Sequence, residues 1–100
     1  MKECKVNILG TEYTVKVCEY NDGGGECNYV DKTIIVNEDH DKQMLKYAIN
    51  HEIIHAFMFE SGLGPNSDWG QNEECVDWIA MQVDKITNAL LNVHLDIIGN

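Results

Sequence analysis

The stretch from Asp41 to Glu60 constrains the fold of this chain more than any other. Its residues favour a helix, the side chains from Asn37 to Asp41 can cap its first turn, and Ser61 with Gly62 supplies a stop. Apolar side chains occupy most of the circumference of this helix and leave only a narrow polar strip. Such a helix is central in a fold, so we expect the rest of the chain to cover most of its sides.

The residues before this helix indicate β-strands. Apolar and polar residues alternate on both sides of a turn at 9–12, with Val6 and Ile8 before it and Tyr13, Val15 and Val17 after it. A loop at 21–25, rich in glycine, separates this predicted hairpin from the β-branched run Thr33–Val36. That run predicts a third strand.

A second helix is predicted after the only proline. Asp68-Trp69-Gly70-Gln71 has the spacing of a capping box, and the helix should run to roughly Leu90, with residues 93–100 forming either more helix or a last strand. Its expected buried stripe consists of Val76, Ile79, Ala80, Val83, Ile86 and Leu90. The pattern predicts one α+β domain over residues 1–100, in which a sheet of about three strands packs on a pair of helices.

The composition of the chain disfavours several classes of protein function. Seventeen acidic against seven basic residues give a net charge of −10, which disfavours binding to nucleic acid or to anionic membranes. No run approaches the roughly 20 apolar residues of a membrane span, and the first residues do not resemble a signal peptide. Four cysteines without CxxC spacing are expected to stay reduced, so we expect a cytoplasmic protein.

The polar strip of the first helix carries the motif HEIIH. His51 and His55 are four residues apart, so both imidazoles project from one face and can reach a single metal ion. Glu52 lies about 100° further round the helix, where its carboxylate would flank the ion and act as a general base on a water. Two packed core histidines are the alternative, but they leave three costly polar groups unexplained.

A third ligand is expected from the start of the second helix. The segment NEECVD offers Glu73 and Glu74, and Glu73 lies at the border of the apolar stripe whereas Glu74 points away from it. Asp77 follows Glu73 by one turn and could accept the free ring N–H of a ligating histidine. An exposed acidic edge is the other interpretation of these residues.

Together, HEIIH and NEECVD resemble the zincin metallopeptidases of the glutamate-zincin branch, particularly small ImmA/IrrE-type and phage-encoded members. The resemblance covers about Ile34 to Ala80 and implies a minimal zincin-like domain. It further implies that His51, His55 and Glu73 bind Zn²⁺, that Glu52 activates water and that Asp77 supports the site. It also implies that an edge strand, here Thr33–Val36, pairs with an extended peptide substrate.

The chain departs from that family in two respects. No downstream histidine or tyrosine occupies a recognisable position for stabilising an oxyanion, and the insertions that usually build a deep cleft are absent. Tyr47, one turn before His51, is the best candidate donor, with a core role as its alternative. Tyr29 and His40 lie in flanking segments, where an exposed or capping role is expected.

Three functions therefore stay open at this stage. The first is a zinc-dependent peptidase that cleaves a peptide or protein substrate, with Glu52 as its general base. The second is a zinc-bearing regulatory or binding module without turnover, and the third is a metal-free structural protein. The sequence identifies neither a substrate nor an oligomeric state.

Overall fold

The computed structural model describes residues 2–20 and 23–99. Four strands form one sheet: β1 (Lys2–Ile8), β2 (Thr11–Cys18), β3 (Gly25–Asn28) and β4 (Thr33–Asn37). Three helices follow, α1 (Lys42–Glu60), α2 (Leu63–Asn66) and α3 (Glu73–Ile97), with a 3₁₀ turn at Trp69–Gln71 before α3. The predicted α+β class is confirmed.

The sheet has one strand more than predicted. Its order is β1-β2-β4-β3, with β2 and β4 parallel and the two outer pairs antiparallel. The four residues of β3 have no alternating apolar pattern, and pairing with β4 makes them a strand. The expectation that Thr33–Val36 forms the sheet edge is wrong, because β4 lies between β2 and β3. The edge on that side is β3.

One face of the sheet carries the core. Val15 on β2 lies opposite Ile34 on β4, and both side chains are buried. Val36 on β4 is also fully buried. Ala48 and Ala56 of α1 belong to the same apolar cluster, and their small side chains let the helix approach the sheet closely. This packing fixes the face of α1 that points away from the sheet.

The ends of α1 agree with the sequence. The Asp41 side chain accepts a hydrogen bond of 2.8 Å from the backbone N–H of Met44 and thereby caps the first turn. The helix ends at Glu60, and Gly62 adopts the left-handed conformation with φ of 88°. Met44 and Phe57 are exposed, so α1 is less completely covered than predicted.

The Glu60 carboxylate ties the end of α1 to the sheet. It accepts hydrogen bonds from the Thr11 hydroxyl at 3.1 Å and the Tyr13 hydroxyl at 2.8 Å. The ammonium of Lys32 lies 2.9 Å from the same carboxylate. These charge-assisted contacts lower the pKa of Glu60, the Lys32 bond being the largest cause.

The start of α3 differs from the prediction. Asn72 caps this helix by accepting a 2.9 Å hydrogen bond from the backbone N–H of Cys75. Asp68 instead precedes the 3₁₀ turn, so the predicted capping box does not form. The chain therefore bends at the 3₁₀ turn as well as at α2, and Glu73 begins α3 beside α1.

The far end of α3 is helical and exposed. The helix continues to Ile97, so the ambiguous tail is helical up to that residue, and Asn100 lies outside the described residues. Val76 and Ala80 are buried as predicted, whereas Ile86 and Leu90 are exposed, so the predicted stripe is wrong for its second half. Within residues 2–20 and 23–99, no helix combines the length and apolar character that crossing a bilayer demands.

Candidate metal centre

Three side chains from α1 and α3 converge on one point. The Nε2 atoms of His51 and His55 lie 3.1 Å apart. One carboxylate oxygen of Glu73 lies 3.3 Å from Nε2 of His51, and the other lies 3.0 Å from Nε2 of His55. The predicted trio is therefore brought together, with one ligand atom from each residue within 4.8 Å of the others.

This spacing fits a bound metal ion. Tetrahedral ligands at 2.0–2.1 Å from zinc are separated from one another by about 3.3 to 3.4 Å. The observed separations of 3.0 to 3.3 Å lie close to that value. The two Nε2 atoms are 3.1 Å apart, so only one proton fits between them. The lone pair of the other nitrogen and the negative charge of the Glu73 carboxylate therefore favour a bound cation. A donor set of two imidazoles and one carboxylate suits zinc.

Burial differs between the ligand residues. The side chains of His51 and His55 are 17% and 14% exposed, whereas that of Glu73 is 64% exposed. Burial lowers the pKa of His55, an effect that the Glu73 carboxylate opposes, and thus favours the neutral imidazole that binds metals. Glu74 does not belong to the cluster, so the structure brings in Glu73 as the helical wheel predicted.

Asp77 lies behind His51. Its Oδ1 atom is 2.9 Å from Nδ1 of His51 and accepts a 2.8 Å hydrogen bond from the Tyr47 hydroxyl. The distance to Nδ1 is that of a hydrogen bond, but the alignment is not, so Nδ1 has no aligned partner. A small rotation of the imidazole would align Nδ1 with the Asp77 carboxylate while Nε2 stays directed at the ligand cluster.

Tyr47 lies on the supporting side of His51. Its hydroxyl proton is directed to Asp77, which lies at Nδ1 of His51, whereas the ligand cluster lies at Nε2. Burial raises the pKa of Tyr47, and the Asp77 carboxylate adds to the rise. The assignment of Tyr47 as an oxyanion donor stays a prediction, and the observed contact indicates a positioning role instead.

Glu52 lies under the edge strand. A Cβ atom added at Gly25 of β3 would lie 3.6 Å from Cγ of Glu52 and 2.6 Å from the backbone oxygen of Ile35. Only glycine therefore fits where β3 crosses the Glu52 side chain. Burial raises the pKa of Glu52, the His51 imidazole opposes the rise, and the Glu73 and Glu26 carboxylates add to it.

A cleft opens beside His55 and Glu73. It has a volume of about 360 Å³ and is lined by Tyr29, His55, Met58, Phe59, Gly64, Pro65, Gly70, Gln71 and Glu73. α2 and the 3₁₀ turn pack tightly beside the cleft, since a Cβ atom at Gly70 would lie 2.5 Å from the backbone of Leu63. The cleft therefore combines an apolar floor with the exposed side of the ligand cluster.

Tyr29 forms one wall of this cleft. Its ring stacks on Phe59 with the centroids 4.3 Å apart and the planes at 6°. Its hydroxyl makes no hydrogen bond to any described residue, and burial raises its pKa to about 12. The expected exposed or capping role is therefore wrong for Tyr29, which is half-buried and follows a strand that only its pairing with β4 reveals.

A larger groove lies nearer the N-terminal end of α1. Its volume is about 760 Å³, and Tyr47 and Asn50 line it together with residues of the middle of α3. The Asn50 amide donates hydrogen bonds of 3.3 Å to the backbone oxygen of Ala80 and to Asp84. Since neither His51 nor His55 lines this groove, we consider the smaller cleft the better candidate for a substrate.

Comparisons with protein families, curated proteins and solved structures find no match to this chain. The resemblance to the glutamate-zincins thus depends on the two motifs alone, and the function has to be argued from the site.

Proposed function

We propose that this protein is a zinc-dependent metallopeptidase that hydrolyses peptide bonds. The observation that carries the proposal is the convergence of His51, His55 and Glu73, with ligand atoms 3.0 to 3.3 Å apart, next to Glu52, whose pKa responds to the charges of His51 and Glu73. Two imidazoles, one carboxylate and an open fourth position form the donor set of catalytic zinc. When bound, the metal would supply a Lewis acid that polarises a carbonyl and lowers the pKa of a water.

Glu52 is the proposed general base. Its carboxylate would take a proton from the water as the water oxygen bonds to the carbonyl carbon, and would return that proton to the nitrogen as the C–N bond breaks. This side chain is partly buried beneath Gly25 of β3, which limits the positions that its carboxylate can take. Asp77 and Tyr47 orient His51 from behind.

The surroundings of the site suit an extended peptide. The outer edge of β3 has no strand partner among residues 2–20 and 23–99, so its backbone groups can pair with a substrate strand. β3 passes over Glu52 at Gly25, which brings such a strand to the proposed base. The adjacent cleft, with Phe59 and Met58 in its lining, would accept an apolar side chain of that peptide.

Tyr29 is a better candidate oxyanion donor than Tyr47. It lines the cleft together with His55 and Glu73, and its hydroxyl has no competing hydrogen bond to described residues. The raised pKa keeps the hydroxyl protonated, so it can donate to a developing negative charge.

Metal content and turnover test the proposal separately. Purified wild-type protein should contain one zinc per chain by elemental analysis, and His51→Ala and Glu73→Ala should each lose it. Glu52→Gln should keep the zinc but lose cleavage of a mixed peptide library followed by mass spectrometry. Iron at full occupancy would instead indicate the chemistry that a two-histidine, one-carboxylate site supports with Fe(II).

A zinc-bearing regulatory module without turnover is the second candidate. It is favoured by the Tyr47 hydroxyl, which is engaged with Asp77 and unavailable to a substrate. This function predicts one zinc per chain together with no cleavage by wild-type protein of any library peptide. A cytoplasmic location suits both candidates, since all four cysteines are free thiols.

A further inference from the structure

The second half of α3 is an apolar helix without an intramolecular partner. From Ile86 to Ile97 every residue is exposed. Six aliphatic side chains in this segment are 45% to 79% exposed: Ile86, Leu90, Leu91, Val93, Leu95 and Ile97. Isolated exposed aliphatic residues are common in proteins, but a contiguous set on one helix usually marks an interaction surface.

The exposed apolar face of α3 continues the face that packs against α1 in the first half of the helix. Apolar residues recur along α3 at alternating steps of three and four: Val76, Ile79, Val83, Ile86, Leu90, Val93 and Ile97. The first members lie where α1 packs on α3, and Val76 is fully buried. This heptad spacing is the pattern with which one helix packs along another. Beyond Lys85 the pattern persists although α1 no longer covers it.

The charge distribution indicates which partner fits this face. Asp96 is the only charged residue between Ile86 and Ile98, in a chain whose net charge is −10. Helices that bind anionic membranes carry lysine and arginine on their polar face, and this segment has neither. Two copies of the chain can therefore approach each other along this segment with little charge repulsion.

We propose that the protein forms a homodimer in which the second halves of two α3 helices pack antiparallel around Leu90. A two-fold axis places the same heptad positions opposite each other, and the antiparallel arrangement keeps the two acidic bodies apart. With about 100 Å² for each fully exposed aliphatic side chain, the four residues that lie on this face, Ile86, Leu90, Val93 and Ile97, offer on the order of 230 Å² of apolar surface. That is about half of the apolar share of a standard interface, which buries about 800 Å² per partner.

The oligomeric state in solution tests the proposal. Light scattering coupled to gel filtration should give twice the chain mass for wild-type protein, and Leu90→Asp should halve it. Asn88→Asp adds the same charge on the side of the segment opposite Leu90, so this control should stay dimeric. Circular dichroism should show equal helix content in all three, and added salt should strengthen the dimer.

Small-angle X-ray scattering distinguishes the antiparallel dimer from a side-by-side dimer. One chain measures 46 × 34 × 26 Å, and an antiparallel dimer with bodies at opposite ends should be much longer than 46 Å. A side-by-side dimer of unchanged length would overturn the antiparallel arrangement. A monomer at the highest attainable concentration, a tetramer, or a dimer that survives Leu90→Asp would overturn the proposal itself. Flotation of monomeric protein with phosphatidylcholine vesicles, lost in Leu90→Asp, would assign the face to lipid instead.

Discussion

Tyr47 and Asp77 join the two helices behind the candidate metal centre, with the hydroxyl of Tyr47 donating a 2.8 Å hydrogen bond to the Asp77 carboxylate. The same oxygen lies 2.9 Å from Nδ1 of His51, so one carboxylate serves both residues. Groups that orient a ligating histidine affect metal affinity almost as strongly as the ligands do.

Asp77→Ala should therefore weaken zinc binding by about 10 to 100-fold. Competition with a fluorescent zinc indicator measures this change. Asp84→Ala, on the same helix but bonded to Asn50, is the matched control and should leave the zinc affinity unchanged. Equal losses in the two variants would mean that Asp77 acts only through helix packing.

Tyr47→Phe separates the two roles considered for that residue. A positioning role predicts weaker zinc binding, with the activity of the fully loaded enzyme close to wild type. An oxyanion role predicts the reverse, a lower kcat with normal zinc affinity. We expect the first result, because the hydroxyl proton is directed to Asp77.

Tyr29→Phe should lower kcat by about 100-fold, which is typical of removing one oxyanion donor, and should not change the zinc content. Tyr29→Phe also keeps the ring that stacks on Phe59, so the wall of the cleft should persist. Unchanged peptide cleavage in this variant would remove Tyr29 from the mechanism, while the metal centre would be unaffected.

Gly25→Ala should reduce turnover without removing the metal. The added methyl group would lie 2.6 Å from the Ile35 backbone oxygen, so β3 must shift relative to β4, and this shift changes how β3 covers Glu52. A displacement of about 1 Å near a reacting group can cost roughly 100-fold in rate. Gly24→Ala is the control, because its methyl group would make only an ordinary 3.6 Å contact with His40.

Glu60 should make stability depend on acid pH. Its folded-state pKa is lowered by Lys32, Tyr13 and Thr11, the charged and polar groups that face it. Its contribution to the free energy of unfolding is thus complete above about pH 4.3, the pKa of a glutamate in the unfolded chain. That contribution is lost as the pH falls through the lower pKa of the folded state. Urea unfolding of metal-free protein should show that Glu60→Gln is less stable than wild type at pH 7, with the difference shrinking in acid.

The exposed Glu74 provides the comparison for this experiment. Glu74→Gln removes the same charge from a residue outside the Glu60 network, so its stability difference from wild type should be small at every pH. A difference between wild type and Glu60→Gln that stays constant from neutral to acid pH would show that the network contributes nothing as an ionised group.

The local part of the fold and of the site followed from the sequence alone. Residues next to the helix from Asp41 to Glu60 determine where it begins and ends. The i and i+4 spacing of His51 and His55 places both side chains on one face of this helix. The border position of Glu73 on its helix was also readable from the apolar stripe. These features depend on contacts within a turn or two, which local pattern determines.

Tertiary structure decided the rest, because it depends on which segments pair across the chain. β3 is a strand only through its bonds to β4, so neither Gly25 above Glu52 nor Tyr29 beside the cleft could be recognised from their neighbours. Likewise, one heptad pattern runs the length of α3, but α1 covers only its first half. Periodicity specifies which face of a helix is apolar, and only the position of its partners determines whether that face is buried.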